Sequence, residues 1–432
     1  MDKVKVAVYP SGTEIGLEIG RQLRYSKSIE LIGLNSCLDF SRFIYSKNFT
    51  DFVDVYHPEL ELKLIKFTKE NEINILVPAH DEAIFRLSHF DELKNNVKIL
   101  TPSSEIAEIL RYKSKTYSAL KDIISTPKVF SNTINPLSFP IFAKPDRGQG
   151  SVGAMILKSK SDLDHLLASN FQSYILTEFL PGNEYTVDCF SSNDHRVLFC
   201  NGRIRDRVSK GISVRSFSVF DNRFFDFANK ISDRLGMIGP WFFQVKKDDQ
   251  GNLKLLEVAS RIGGTSGQSR SLGFNIMEAA IYQLLGYPIK VVRNHYSVTI
   301  ERALESAYEI DLTVKFIYVD LDDTIILEGH LVGRLIGFLF EAKSRGCEVI
   351  LITRHKGNLQ DTLTRFGLTY LFSEIIHIKD NSPKSRFIKH FNRSVFIDDS
   401  FAERLEVSET SKIPVFSIDM IDMLVHCKFD NV

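Results

Sequence analysis

The chain opens on a short apolar run, VKVAVYP, then passes to SGTEIGLEIGRQLRYS, where apolar positions recur at helical spacing after a Gly-rich turn. IELIGLN, INILVPA and VKIL repeat the apolar theme, with amphipathic stretches between them. Strands interleaved with helices predict a parallel sheet with right-handed crossovers, so residues 1 to about 102 read as one α/β layer. TPSSEIAEILRYKSKTYSALKDI predicts a helix pair, started by Pro102 and Ser103 or Ser104. From Pro140 to about Leu180 the pattern is strand, glycine loop, strand, helix, strand. Strands and polar loops then dominate to about Ala303, closing on a helix around IMEAAIYQLLG. Beyond the joint ESAYEIDLT, a second strand-first α/β pattern starts at KFIYVDLDDT and continues to the C-terminus. No internal repeat or low-complexity tract interrupts it.

A length of 432 residues predicts two to four domains. With 44% hydrophobic and 25% charged residues the balance is that of a globular protein. Fifty-four basic residues oppose fifty-four acidic ones, which argues against a dedicated nucleic-acid partner, because such affinity needs a basic excess. Cys37, Cys189, Cys200, Cys347 and Cys427 are odd in number and form no CxxC pair, so neither a disulfide framework nor a structural zinc site is predicted. The opening residues lack a signal-peptide pattern and no eighteen-residue apolar run occurs, so the expectation is a cytoplasmic protein with no membrane partner.

FPIFAKPDRGQGSVGAMILK carries the first candidate chemistry. Gly148, Gly150 and Gly153 spell GxGxxG, but strands flank them on both sides, whereas a dinucleotide-binding turn leads into a helix. Strand–glycine loop–strand describes a flap whose backbone N–H groups can close over phosphate oxygens, or a plain hairpin. Lys144 ends the first of these strands. Further on, Gln244 and Glu257 occupy two strands joined by DDQG, a good hairpin turn, and together offer oxygen ligands to a hard cation. Arg261 follows four residues later. Taken in order, these motifs resemble the ATP-grasp superfamily over roughly residues 1 to 305, and most nearly carbamoyl-phosphate synthetase-like large subunits and D-alanine–D-alanine ligases.

The resemblance implies an N-terminal pre-ATP-grasp α/β domain (1–110) and an α+β nucleotide-binding and catalytic domain (111–305). It implies that Lys113 and Lys144 bind nucleotide phosphates and that Thr177, Glu178 and Leu180 form the adenine hinge. Glu184 would bind the ribose, Gln244 and Glu257 would carry Mg²⁺ (or Mn²⁺), and Arg261 would contact the transferred phosphate. The implied chemistry moves the γ-phosphate of ATP to a carboxylate and lets an amine or similar nucleophile displace it. One departure is local: the family's Glu-x-Asn-x-Arg is here Glu257-Val258-Ala259-Ser260-Arg261, and Ala259 cannot coordinate metal. Either water or Ser260 substitutes, or the second metal is held less tightly.

RIRDRVSKGISVRSFSV gathers Arg203, Arg205, Arg207, Lys210 and Arg215. Such a run is either a solvated loop face or a site for an acidic substrate, and Arg205 and Arg215 are the individual candidates. Gly12, Gly16 and Gly20 read as close helix packing, and Asp81 and Glu82 as either amine ligands at a strand end or first-turn helix acids.

In the last quarter, KFIYVDLDDT places Asp320 and Asp322 just past a strand; residues two apart on an extended segment point the same way. CEVILITRH ends a strand at Thr353, NSPKSRF offers Lys384, and SVFIDDS ends a strand at Asp398 and Asp399. Acids, a cation and a hydroxyl at one sheet edge suit metal-assisted phosphoryl transfer. In this order they resemble the haloacid dehalogenase phosphohydrolase superfamily over residues 312–432, a Rossmannoid domain. The resemblance implies Asp320 as nucleophile, Asp322 as general acid/base, Thr353 and Lys384 on the phosphoryl group, and metal held by Asp320, Asp322, Asp398 and Asp399. About 28 residues separate the first motif from Thr353, reading as one helix and a strand, which leaves no room for a sizeable cap.

The expectation is therefore a bifunctional enzyme. A ligase joins small-molecule carboxylate and amine substrates, and a fused phosphatase removes phosphate from a phosphorylated small molecule. The alternatives are a small-molecule kinase or carbamoyl-phosphate-type synthase, and a catalytically weak nucleotide-binding sensor or scaffold. A homo-oligomer is allowed by the sequence.

Overall fold

The computed structural model describes residues 3–130, 138–148, 150, 152–170, 174–209 and 211–430. Lys210, one of the basic cluster, lies outside them. The chain forms two compact units, Met1–Ala303 and Leu304–Val432. The expected division at 110/111 falls at the end of the helix Ser104–Arg111, and both sides of it belong to the first unit.

That unit begins with five parallel strands, β1 (Val4–Tyr9), β2 (Ile29–Leu34), β3 (Lys47–Phe49), β4 (Ile75–Pro78) and β5 (Lys98–Ile99), in the order β3-β2-β1-β4-β5. Side chains alternate along β1: Val6 and Val8 pack with Ile19 and Leu23 on one face, while Ala7 and Tyr9 pack with Leu60 and Leu64 on the other. Burial on both faces is why the central strands β1, β2 and β4 read as largely apolar runs. The close packing expected of the early glycines is present at Gly20, where a Cβ would come within 2.4 Å of Ile44 Cγ2.

Strands β6 (Val129–Phe130), β7 (Ile141–Pro145), β8 (Met155–Leu157) and β9 (Tyr174–Glu178) form a small antiparallel sheet ordered β6-β9-β7-β8. The glycine loop joins β7 to β8. A larger antiparallel sheet follows, with β10 (Glu184–Ser191), β11 (Val197–Ser209), β12 (Ile212–Val219), β13 (Gly239–Lys247), β14 (Leu253–Ala259) and β15 (Thr299–Glu301) in the order β14-β13-β10-β11-β12-β15. Gln244 lies directly opposite Glu257 on the β13–β14 hairpin, with a register shift just beyond it. The DDQG turn closes through Gly251 at φ +83°, a backbone conformation that favours glycine. Beneath the sheet, Val187, Trp241, Phe243 and Val258 meet the helix Asn222–Leu235 through Phe224, Ala228 and Ile231.

The second unit holds β16 (Thr313–Val314), β17 (Phe316–Val319), β18 (Ile326–Leu327), β19 (His330–Leu331), β20 (Glu348–Thr353), β21 (Glu374–His377), β22 (Ser394–Ile397), β23 (Val415–Phe416) and β24 (Lys428–Phe429). Five of them make a parallel sheet ordered β21-β20-β17-β22-β23, so β17 is central, with β20 and β22 beside it. The short hairpin β18–β19 precedes the helix Gly333–Ser344 and was not anticipated: its two-residue strands carry too little pattern to register. Among the described residues no helix is long and apolar enough to cross a membrane.

The single tryptophan reports on the first unit's core, since the Trp241 and Phe243 ring centroids lie 5.9 Å apart. Phe243→Ala is expected to cost about 3–5 kcal/mol. Trp241 fluorescence should therefore change at a lower urea concentration than in the unmodified protein.

Candidate functional sites

The first site lies between the small antiparallel sheet and the β10–β15 sheet. Lys113, Lys144, Gly148, Gly150, Thr177, Glu178, Leu180, Glu184, Arg205, Gln244 and Glu257 all line one cleft of about 180 Å³. Phe142 and Ile156 add apolar surface to it. Gly153 is absent from the lining. It turns the chain at φ +77°, where a Cβ would press on the Tyr174 hydroxyl at 2.9 Å, so its part is to shape the loop.

The flap is tied at its base. Asp146 accepts from the Ser114 backbone N–H over 2.7 Å and from the Ser114 hydroxyl over 2.6 Å, at the start of the helix Lys113–Leu120. Lys113 donates to the Gly148 carbonyl over 3.2 Å. One turn along the same helix, Tyr117 donates to the Leu256 carbonyl over 2.8 Å and accepts from Lys144 Nζ over 2.7 Å. Sequence reasoning missed Tyr117 and Asp146. The i,i+4 spacing of Lys113 and Tyr117, which puts both on one helix face, was the available signal for the tyrosine.

Lys144 is buried, and burial together with the nearby Lys113 ammonium pushes its pKa down to about 8, against the pull of Glu257 and Glu184. Glu184 is engaged by Arg205 Nε at 3.0 Å. The Gln244 amide spans the hairpin. Turned one way, it donates to Glu257 Oε1 over 3.3 Å and accepts from Arg205 Nη1 over 2.6 Å. Turned the other way, its oxygen faces the Glu257 oxygen, an arrangement that calls for a cation between them. Glu178 accepts from the Lys128 backbone N–H over 2.8 Å, which fixes the strand end that Thr177 and Leu180 flank.

A second cavity, of about 450 Å³, adjoins the first and is lined by Arg203, Arg205, Arg261, Arg302, Glu14, Asp81 and Glu257 among others. Arg261 reaches it while gripping Asp81, with Nη2 to Oδ2 at 2.8 Å. Burial alone would push the Asp81 carboxyl up, but Arg261 reverses this and holds it below the usual carboxylate range. Glu82 is bound in turn by Arg111 and Arg147. Both acids sit in the first turn of the helix Asp81–Leu87 and are engaged by arginines, so the structure favours the helix-acid reading over a free amine site.

Arg215 stands apart from both cavities. It pairs with Asp206 at 3.4 Å and Glu301 at 3.3 Å, half exposed on β12. Arg203, two residues before Arg205 and on the same face of β11, also lines this cavity, although the sequence did not single it out as an individual candidate. It is buried, donates to Thr265 Oγ1 over 2.6 Å and pairs with Asp188. Gly263 leaves room for it, since a Cβ there would come within 2.6 Å of Arg203 Nη2.

The remaining candidates meet at the edge of the second unit's parallel sheet. Ligand atoms of Asp320, Asp398 and Asp399 lie within 4.8 Å of one another. The reason is register: Val319 of β17 pairs with Ile397 of β22, so the residues following each strand emerge together. Lys384 Nζ donates to Asp320 Oδ1 over 2.7 Å and to Asp398 Oδ2 over 2.6 Å. Burial, reinforced by the neighbouring Asp398 and opposed by Lys384, pushes the Asp320 carboxyl up to about 7. Thr324 Oγ1 donates to Asp399 Oδ1 over 3.1 Å and accepts from the Asp399 backbone N–H over 3.0 Å.

Two expected placements change here. Asp322 lies outside the three-carboxylate group; its carboxylate meets His355 Nδ1 at 2.9 and 3.0 Å instead. Thr353 is fully buried and its hydroxyl accepts from the His355 backbone N–H over 3.1 Å. It therefore supports the loop below the open cavity, whose wall is made by Arg354, His355, Lys356 and Gly357. A hydroxyl that ends a strand in sequence has here turned back onto its own loop, a local hydrogen bond that pattern alone does not reveal.

Comparison with known proteins bears on the first unit. The family described as "ATP-grasp in the biosynthetic pathway with Ter operon" matches residues 170–305. A D-alanine–D-alanine ligase of Thermotoga petrophila is 35% identical over 83 residues, 17% of this chain and 27% of the ligase. A tyramine–L-glutamate ligase of Methanocaldococcus jannaschii is 32% identical over 103 residues, 20% of this chain and 33% of that protein. The chain thus spans about a third or less of these two relatives.

Among solved structures, the biotin carboxylase domain of Hydrogenobacter thermophilus 2-oxoglutarate carboxylase, in complex with MgADP, ADP and bicarbonate, superposes with a TM-score of 0.58 at 12% identity. The match covers 69% of this chain and 74% of that one. An L-amino acid ligase from Bacillus licheniformis gives 0.54 at 17% identity, covering 67% and 76%. The structural likenesses give the matched part of the chain the α/β ATP-grasp fold.

Lys144 leaves a measurable mark on stability. Between its native value of about 8 and its ordinary 10.5, the unfolded chain holds a proton that the native site has released. Its contribution to stability therefore rises with pH across that window. Lys144→Met should flatten this rise, read as the urea midpoint of Trp241 fluorescence at pH about 7.5, 8.5 and 9.5.

Proposed function

We propose that Met1–Ala303 is an ATP-dependent ligase that joins a small-molecule carboxylate to an amine through an acyl phosphate. We propose further that Leu304–Val432 is a phosphohydrolase acting on a phosphorylated small molecule of the same pathway. The observation that carries the first reading is the convergence of Lys113, Lys144, Glu184, Gln244 and Glu257 on one cleft beside a glycine flap. Relatives named as ligases of amino acids support it, as does the MgADP held by a structural neighbour. The second reading rests on the chain's own residues, the Asp320, Asp398 and Asp399 group with Lys384 inside it.

In the ligase, a carboxylate oxygen of the substrate attacks the γ-phosphorus of ATP, and the bond to the β-phosphate oxygen breaks to release ADP. The amine then attacks the acyl carbon, the carbon–oxygen bond to phosphate breaks, and the amine gives up a proton. Positioning and opposed charge accomplish this without a side-chain nucleophile. Lys113 and Lys144 set ammonium groups against phosphate oxygens, the stretch Thr177–Leu180 seats the base, and Glu184 accepts from the ribose. Arg203, Arg205 and Arg261 face the adjoining cavity, where an acidic substrate would lie beside the phosphates.

Oxygen donors suit Mg²⁺ or Mn²⁺ in both units. Glu257 and Gln244 would hold it in the first, where Ala259 adds no ligand, and Asp320, Asp398 and Asp399 in the second. The bound ion supplies positive charge against phosphoryl oxygens.

In the hydrolase, an Asp320 oxygen attacks phosphorus while the Asp322 carboxyl gives its proton to the departing oxygen. Water then attacks the same phosphorus, Asp322 takes the water proton, and Asp320 is released. Lys384 steadies Asp320 from within the site.

Mass spectrometry of products from ATP, Mg²⁺ and pooled carboxylates and amines tests the pair. Glu257→Ala should lower ADP release by about 10²-fold or more, yet leave phosphate release from phosphorylated metabolites, measured without ATP, unchanged. Asp320→Asn should do the reverse. Either change silencing both activities in a folded protein would refute two independent sites. Nucleotide binding without turnover would favour a sensor, the outcome that Ala259 makes worth testing.

A further inference from the structure

His355 lines the open cavity, and neither the metal group nor the nucleophile accounts for it. Its backbone N–H donates to Thr353 Oγ1 over 3.1 Å. Its carbonyl meets His377 Nε2 at 2.8 Å, where the ring nitrogen must act as donor. Its own Nε2 meets Thr362 Oγ1, on the helix Leu359–Arg365, at 3.0 Å. Gly357 gives the imidazole its space: a Cβ at that position would come within 2.9 Å of Nε2. Backbone and ring are thus fixed on three sides, and the fourth polar atom, Nδ1, faces both Asp322 oxygens at 2.9 and 3.0 Å.

An ionised carboxylate only accepts hydrogen bonds, so Nδ1 carries the proton toward Asp322 and Nε2 accepts from the Thr362 hydroxyl when the ring is neutral. Asp322 needs such a partner. Its side chain is half exposed and, apart from the imidazole, no side chain among the described residues is seen to hold its carboxylate. A carboxyl in that position rotates among its rotamers, and a proton donor misplaced by an ångström loses much of its effect.

We propose that His355 is a positioning residue that holds Asp322 in line with the oxygen leaving phosphorus, with Thr362 fixing the orientation of its ring. This deepens the phosphohydrolase reading and rests on it. It carries a specific consequence. A proton donor matters most when the leaving oxygen is a strong base, as with an alkyl phosphate. It matters little when the leaving group departs as a stable anion, as from 4-nitrophenyl phosphate. Loss of His355 must therefore hurt one class of substrate selectively.

The test compares the full-length chain with His355→Ala, His355→Asn and Thr362→Val on an alkyl phosphate and on 4-nitrophenyl phosphate, with Mg²⁺ and without ATP. His355→Ala should lower kcat on the alkyl phosphate by about tenfold or more, with KM little changed, and lower kcat on the aryl phosphate by no more than about twofold. His355→Asn, which keeps an N–H donor, should recover part of the loss. Thr362→Val, nearly isosteric, should fall between His355→Ala and the unmodified chain on the alkyl phosphate. Equal losses on both substrates, or no loss on either, would overturn the positioning role. Absence of phosphate release by the unmodified chain from any phosphorylated substrate would instead overturn the phosphohydrolase reading beneath it.

Discussion

A charge removed from water must meet an opposite charge or give up its own, and both sites are built around that constraint. Lys144 is the clearest case. Buried between Tyr117 and the Leu256 carbonyl and repelled by Lys113, it binds its proton weakly until more negative charge arrives. Lys384 is the opposite case. Burial would lower it, but Asp320 and Asp398 more than reverse the effect and hold it firmly charged. The first lysine waits for an anion, on the proposed reading the phosphates of ATP. The second is already satisfied and serves to keep two crowded acids in place. Removing one partner of such a buried group leaves the other uncompensated, so these lysines constrain their neighbours more than any surface ion pair does.

Much of this was legible because chemistry at sheet edges follows strand endings. Asp320, Asp398 and Asp399 each come just after a short apolar run, and parallel pairing of β17 with β22 brings such endings together. The hairpin that sets Gln244 opposite Glu257 was likewise announced by its DDQG turn. What the pattern could not supply is where a side chain goes once it has a choice of partners. Arg215 was a candidate for the acidic substrate, yet two acids on neighbouring strands claim it. Arg203 was passed over, yet a missing Cβ at Gly263 and a distant Thr265 make room for it at the cavity. Thr353 and Asp322 are both engaged by a single histidine two residues past a strand end. Each of these outcomes depends on residues far away in the chain or on a short loop, and neither leaves a periodic trace.

The early glycines show the same limit from the other side. Their spacing announced tight packing, and tight packing is found, but against Ile44 and Tyr45 at Gly20 and against the Pro10 and Ser11 carbonyls at Gly16. Asp81 and Glu82 were equally open to two readings, and the pairing of Arg261 with Asp81 decides between them by joining the first sheet's helix to the end of the β13–β14 hairpin. An arginine carried so far from its partner in sequence fixes the wall of the cavity that, on the proposed reading, takes an acidic substrate.

On the proposed reading the two sites also differ in what they must do with water, and their shapes follow. An acyl phosphate is lost if water reaches it before the amine does, so a ligase needs enclosure. The first cleft has apolar surface from Phe142 and Ile156 and a glycine flap whose turn at Gly150, with φ +62°, keeps side chains out of the way of closure. A phosphohydrolase uses water as its second reactant and gains nothing from exclusion. Its cavity is correspondingly open, with Asp322 half exposed at the mouth and only the two-residue strands of β18–β19 between the first acids and the next helix. Openness carries a cost of its own, because a proton donor on an exposed loop is not held by packing. A histidine clamped on three sides beneath it is a physical answer to that cost, and it explains why an imidazole sits where a solvent-facing loop would have accepted almost any residue.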